Sequence, residues 1–113
     1  LTADDIGLVV GHGMGDPVID AQEAEAIAKA LPGIPVTLPI GLLGHTGAAT
    51  GMLGLTAAVV AAQQGTAPPV AHASDCPDTL NIVEKSGPLK RPHVIALSHT
   101  SHGSATAVIV SAT

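Results

Sequence analysis

Six histidines stand in a chain of 113 residues that holds four Lys plus Arg and nine Asp plus Glu. Imidazole has the ordinary pKa closest to neutral. Histidine is therefore the first place to look for proton transfer or for a donor to a developing oxyanion. His12 follows the apolar run Ile6 to Val10 and is flanked by Gly11 and Gly13. His45 precedes a long stretch of small residues that reads as a helix. Ends of strands and starts of helices are where α/β proteins put reacting groups, because backbone N–H groups there point at developing negative charge. Taken singly, either histidine fits a turn or core residue donating to a carbonyl better than a catalytic one. His99 and His102 stand three apart in a polar loop, a spacing that occurs in metal sites. No acidic residue lies near them in sequence and Cys76 is the one cysteine, so no metal is assigned.

Three other motifs fall short of a chemistry. Gly11-His12-Gly13-Met14-Gly15 follows a strand as a dinucleotide-binding turn does, but it lacks the third glycine at the required offset. Gly41-Leu42-Leu43-Gly44 has no lysine after it and is not a phosphate-binding loop. Cys76 precedes Pro77 and Asp78, with no strand-to-helix elbow to present a nucleophile.

The elements that must hold these groups alternate. Ile6 to Val10 reads as a buried strand. Asp20 suits an N-cap, and Glu23 three residues on completes a capping box, so a helix is predicted over Ala21 to Leu31. Ala24, Ile27, Ala28 and Leu31 form its inner face, with Glu25 and Lys29 outside. Pro32-Gly33 stops it, and Ile34 to Leu38 is a second strand. A second helix is predicted over Thr46 to Gln64, ended by Gly65. Pro68 to Pro92 reads as a long irregular surface stretch. Val94 to Ser98 and Ala105 to Val110 read as strands joined in a hairpin by the polar loop His99 to Ser104. The expected order is β-α-β-α-β-β in one α/β domain covering residues 1–113, with a mixed sheet.

Composition narrows the partners. The chain has no Phe, Tyr or Trp, which removes base-stacking platforms and aromatic cages. A net charge of −5 leaves no basic stripe for phosphates, so no nucleic-acid partner is expected. The single Cys76 forms no internal disulfide, and no basic segment precedes an apolar run as in a signal peptide; both fit a cytoplasmic protein. No formal charge falls between Lys29 and Asp75, and Ile40 to Ala62 is long enough to span a bilayer, with small residues at Gly47, Gly51 and Gly54. The polar residues His45, Thr46, Thr50 and Thr56, with no Lys, Arg, Trp or Tyr at the flanks, favour a buried core helix over a membrane span. Glycine on one face of such a helix is expected to let another backbone approach.

Taken together, the histidine motifs resemble a known family. Gly11-His12-Gly13, then Pro17, Asp20 and Glu23-Ala24-Glu25-Ala26, is similar to the β-ketoacyl synthase segment His-Gly-Thr-Gly-Thr-Pro-x-x-Asp-Pro-x-Glu-Ala-Glu-Ala, with the intervals kept. Gly44-His45-Thr46-Gly47-Ala48-Ala49 occupies the place of the family's second motif, Lys-Ser-x-x-Gly-His and a small-residue stretch, at a separation of 45 − 12 = 33 residues. Pro68-Pro69, Asn81-Ile82 and the closing strand–loop–strand from Val94 to Val110 also follow the family's order. The resemblance covers essentially the whole chain and implies a thiolase-like fold, C-terminal half. It implies decarboxylative Claisen condensation of acyl and malonyl thioesters in fatty acid or polyketide biosynthesis, with no cofactor. By position, His12 and His45 take the roles of the two histidines that assist loss of CO₂ and stabilise the enolate and thioester oxyanion. Met14 and Asp16 stand where the family has threonines that hold the pantetheine arm, and Gly103 falls in the terminal loop at the acyl pocket. The implied partners are an acyl carrier protein and an N-terminal ketosynthase half, or a dimer partner, carrying the nucleophilic cysteine, which Cys76 does not match.

The departures define the alternatives. Ile40 replaces the family lysine five residues before the second histidine, and the terminal loop Thr100-Ser101-His102-Gly103-Ser104 lacks the family's phenylalanines. A non-catalytic, chain-length-factor-like subunit is the second reading. A small His-rich α/β domain that binds a metal or anion is the third. The resemblance also suggests that the chain begins at the second strand of the half and lacks its first, central one. The sheet is then expected to carry a gap, and the isolated chain to associate, aggregate or fold marginally.

Overall fold

The computed structural model describes residues 2–12, 17–38, 50–70, 80–99 and 105–111. A 3₁₀ turn at Ala3–Asp5 leads into β1 (Ile6–Val10); α1 (Pro17–Ala30), β2 (Pro35–Thr37) and α2 (Thr50–Gln64) follow. Three two-residue strands come next, β3 (Thr66–Ala67), β4 (Asn81–Ile82) and β5 (Gly87–Pro88), then β6 (His93–His99) and β7 (Ala105–Ser111).

The main sheet has five strands in the order β4-β2-β1-β6-β7. β1 pairs in parallel with β2 on one side and with β6 on the other, β2 pairs in parallel with β4, and β7 runs antiparallel to β6. The α/β class and the mixed sheet are as expected. The expected gap is not there. Ile6–Val10 is itself the middle strand, paired on both sides and buried at every residue. A parallel strand covered on both faces must be apolar throughout, which is how Ile-Gly-Leu-Val-Val reads.

Gly7 explains an irregularity in this strand. Ile6 pairs with His93 and Leu8 with Val94, so two positions of β1 meet one step of β6. A Cβ at residue 7 would collide with the Arg91 carbonyl oxygen, and only glycine allows that approach. The bulge reverses the alternation of side chains. Leu8 and Val10 share one core with Val94 and Ala96, whereas Ile6 joins Val9 on the opposite side.

Two aliphatic cores result, one on each face. Ala58, Ala61 and Ala62 of α2 pack on Leu8, Val10, Val94 and Ala96. Ile27 of α1 packs on Ile6, Val9 and Val36, with Leu31, Ile34 and Leu38 at the margin. With no rings available, each buried Val, Leu or Ile contributes about 1.5–3 kcal/mol.

Helix boundaries depart from the sequence reading in one informative way. α1 begins at Pro17, so Asp20 lies within the helix and is not its N-cap. Proline favours the first helical position because its fixed φ suits the helix and its absent N–H is not missed. The inner face is as expected: Ala24 and Ile27 are buried, Ala28 and Leu31 half-buried, Glu25 and Lys29 exposed. Gly33 and Gly65 follow the two helices with φ of +74° and +66°, a left-handed conformation that glycine adopts without strain. α2 buries only one side; Met52, Val59 and Val60 are exposed, and a Cβ on Gly54 would meet nothing within 4 Å among the described residues. The outer side of this helix, expected to be buried, is thus open within these 113 residues, as expected for the chain without its other half. No helix among the described residues is long and apolar enough to cross a membrane.

The stretch expected to be irregular carries structure. β3 and β5 form a two-stranded antiparallel ribbon. Val70 N–H donates to the Val83 carbonyl at 2.8 Å, and Val83 N–H donates to the Val36 carbonyl at 3.0 Å. Ala67, Val70 and Val83 are buried, so this segment caps the sheet beside β2.

Candidate active site at the end of the central strand

β1, β2 and β6 are parallel, so their carboxyl ends lie on one edge of the sheet, where open α/β sheets place ligands. His12 stands two residues beyond the end of β1. Its side chain is buried, at 5% exposure. A buried imidazole at a strand end is shielded from water, and a hydrogen bond made there is stronger than one at the surface.

The backbone leading to it is anchored from two directions. Gly11 N–H donates to the Thr37 carbonyl at 2.9 Å, which extends the pairing with β2. The next amide, His12 N–H, donates to Oε2 of Glu23 at 2.8 Å. A carboxylate is a stronger acceptor than a carbonyl, and a buried amide left without an acceptor costs about 1–3 kcal/mol. Glu23 arrives there because of its helix register. It lies one turn before Ile27, on the same face, and Ile27 is buried against β1 and β2. Burial of Ile27 therefore docks the helix, and docking carries Glu23 to the strand end.

Gly11 makes room for this arrangement. A Cβ at residue 11 would lie 2.6 Å from Leu38 Cδ2 and 3.3 Å from Glu23 Oε1. Thr37, the last residue of β2, is buried at 2% exposure beside it. His99 ends β6, three residues past Ala96, the residue that pairs with Val10. Two histidine positions thus stand at the same edge, at the ends of adjacent parallel strands. His93 lies at the other end of β6, where its Nδ1 pairs with the Ser111 hydroxyl.

Of the residues singled out from sequence, His12 is the one whose side chain the structure describes at this edge. His45, Met14, Asp16 and Gly103 lie outside the described residues, as do His102 and Cys76. No group of three or more His, Cys, Asp or Glu is gathered for a metal among the described residues. The capping-box spacing of Glu23 gives no hint of its contact with His12. The signal was present in the interval of eleven residues that the family motif keeps between the two. Thr37 gave no signal in the sequence.

Comparison with known proteins follows the same lines. A family model described as "Beta-ketoacyl synthase, C-terminal domain" matches residues 1–74. A non-reducing polyketide synthase of Aspergillus terreus is 37% identical over 112 residues, which cover 86% of this chain and 4% of that protein. The granaticin polyketide putative β-ketoacyl synthase 2 of Streptomyces violaceoruber is 33% identical over 118 residues, covering 97% of this chain and 28% of that one. Among solved structures, the ishigamide ketosynthase/chain length factor superposes with a TM-score of 0.89 at 22% identity, over 98% of this chain and 29% of its own. A ketosynthase in complex with its chain length factor from Xenorhabdus doucetiae gives 0.90 at 22% identity, over 100% and 30%. These superpositions bear on the fold. The chain spans less than a third of the length of each of these relatives.

Proposed function

The chain belongs to the β-ketoacyl synthase C-terminal domain family, and from that membership we propose that it supplies the two-histidine part of a ketosynthase active site within a longer polyketide or fatty acid synthase. The observation that carries this reading is His12, buried at the carboxyl end of the central strand with its backbone held on both sides.

An acyl group is held as a thioester on a cysteine outside these 113 residues. A malonyl thioester, delivered by an acyl carrier protein, loses CO₂, and the electron pair of the broken C–C bond becomes an enolate. The enolate carbon attacks the acyl carbonyl, and the C–S bond breaks to return the cysteine thiolate. His12 and His45 donate Nε2–H to the malonyl thioester oxygen as it gains charge. A neutral imidazole suits this role because it donates without adding a competing charge. By position in the family motif, Met14, Asp16 and Gly103 are assigned to the pantetheine arm and acyl chain. Residues 1–113 act as one folding unit of that half, in the cytoplasm.

Exposed apolar surface supports the need for the rest of the synthase. Met52, Val59 and Val60 on α2 and Val108 and Ile109 on β7 face outward, and β7 is paired on one side only among the described residues. Edge strands of this kind invite a further strand.

Ile40, at the position of the family lysine, supports a second reading, a non-condensing subunit that shapes a partner's acyl pocket. One experiment separates the two. The full-length protein is assayed for malonyl decarboxylation and condensation, alone and with a partner ketosynthase, as wild type, His12→Ala and His45→Ala. Under the catalytic reading each substitution lowers kcat about 10²–10³-fold, the usual cost of losing one oxyanion donor. Unchanged activity in either variant removes that histidine from the mechanism. Wild-type protein that is inert alone yet alters a partner's product length establishes the second reading.

A further inference from the structure

We propose that Glu23 is a positioning residue for His12, acting through the backbone. The inference rests on the reading of His12 as a catalytic donor and adds a residue to it. His12 is the first position at which the chain leaves the sheet. Val10 is the last residue of β1 paired with β6, and Gly11 N–H still follows β2 through the Thr37 carbonyl. The His12 amide instead goes to Oε2 of Glu23 at 2.8 Å. The carboxylate thus takes over from the sheet at the point where the backbone turns, and it sets the direction in which the imidazole starts. Gly11 is shaped for the same contact, since a Cβ there would press on both Leu38 and Glu23. A catalytic donor displaced by about 1 Å loses about 10²-fold in rate, so control of one amide is enough to control the reaction.

The contact needs an acceptor atom at the end of a side chain of this length. It does not need a charge. Glutamine keeps an oxygen at the same reach, whereas alanine removes it and aspartate falls one methylene short. A purely structural role for Glu23 would lower stability in Glu23→Ala and Glu23→Asp but leave the kcat of the folded enzyme at the wild-type value.

The test uses the full-length synthase labelled with ¹⁵N-histidine, with the His12 signals assigned by their loss in His12→Gln. In Glu23→Ala, the His12 amide is expected to move upfield and to exchange at least about 10-fold faster. The kcat for malonyl decarboxylation is expected to fall about 10–100-fold, with KM within about two-fold of wild type. Glu23→Gln is expected to keep the amide signal and to stay within about three-fold of wild-type kcat. An unchanged His12 amide in Glu23→Ala, or a Glu23→Gln variant as slow as Glu23→Ala, overturns the proposal. If Glu23→Ala does not fold, Glu23→Asp takes its place. Its loss is expected to match, and wild-type behaviour of both amide and kcat in Glu23→Asp overturns the proposal equally. If wild-type synthase neither decarboxylates nor condenses, the functional reading fails, and the His12 amide still decides whether Glu23 holds it.

Discussion

His12 and Glu23, eleven residues apart in the chain, meet where the central strand ends: the amide of the first donates to the carboxylate of the second at 2.8 Å. The contact joins a strand to the helix that follows it. Its geometry is set by Ile27, one turn further along that helix and buried in the core below the sheet. Packing and chemistry are therefore coupled through a single turn of α1.

Gly11→Ala should separate activity from stability. The new methyl meets Leu38 Cδ2 at 2.6 Å and Glu23 Oε1 at 3.3 Å, both at the far ends of side chains that can give way. The loss of stability should be about 1 kcal/mol, read by denaturant unfolding. On the proposed catalytic reading, condensing activity of the full-length protein should fall further than that, about 10-fold or more, because the adjustment moves the acceptor of the His12 amide.

Gly7→Ala should behave in the opposite way. Here the methyl meets the backbone carbonyl of Arg91, which cannot rotate aside. The bulge, and with it the pairing of β1 with β6, must shift. A loss of about 1–3 kcal/mol in unfolding free energy is expected. Values within a few tenths of wild type would show that the bulge is not needed.

The inner and outer sides of α2 should also respond differently to truncation. Leu8 is fully buried between β6 and α2, and Leu8→Ala should cost about 2–5 kcal/mol. Met52 on α2 is 63% exposed, and Met52→Ala should change the stability of this chain by less than about 0.5 kcal/mol. If Met52→Ala weakens the longer synthase instead, α2 is covered there by the rest of the protein.

β7 predicts the state of the chain in isolation. Val108 and Ile109 are 39% and 43% exposed on a strand paired on one side among the described residues. Expressed alone, residues 1–113 should associate, and the double variant Val108→Lys with Ile109→Lys should reduce that association. Analytical ultracentrifugation reads both. A wild-type chain that stays monomeric at high concentration counts against β7 as a sticky edge. The expected cause of association thereby moves. It is an open edge and two exposed apolar faces, not a gap inside the sheet.

Much was legible from residue order alone. Ile6 to Val10 announced a strand buried on both faces because no polar residue interrupts it. Pro32-Gly33 and Gly65 announced helix ends because of what proline and glycine do to the backbone. His12 announced itself by its flanking glycines and by the spacing to Asp20 and Glu23, which lie within the residues that the family model matches.

Strand neighbours were not legible. Local periodicity says that a segment is a strand, but pairing is decided by which apolar faces the helices cover, and that is a property of the whole chain. The middle place of β1 therefore came only from the fold, as did β4 and β5 inside a stretch rich in proline and β3 just before it. Asp20 and Glu23 show the limit most clearly. Their spacing satisfies a capping rule, yet Pro17 starts the helix earlier and leaves that rule unused. Burial of Ile27 then turns Glu23 toward a strand end that no local pattern could connect to it. Residue types determined which chemistry this protein can hold; only packing decided which carboxylate holds the histidine in place.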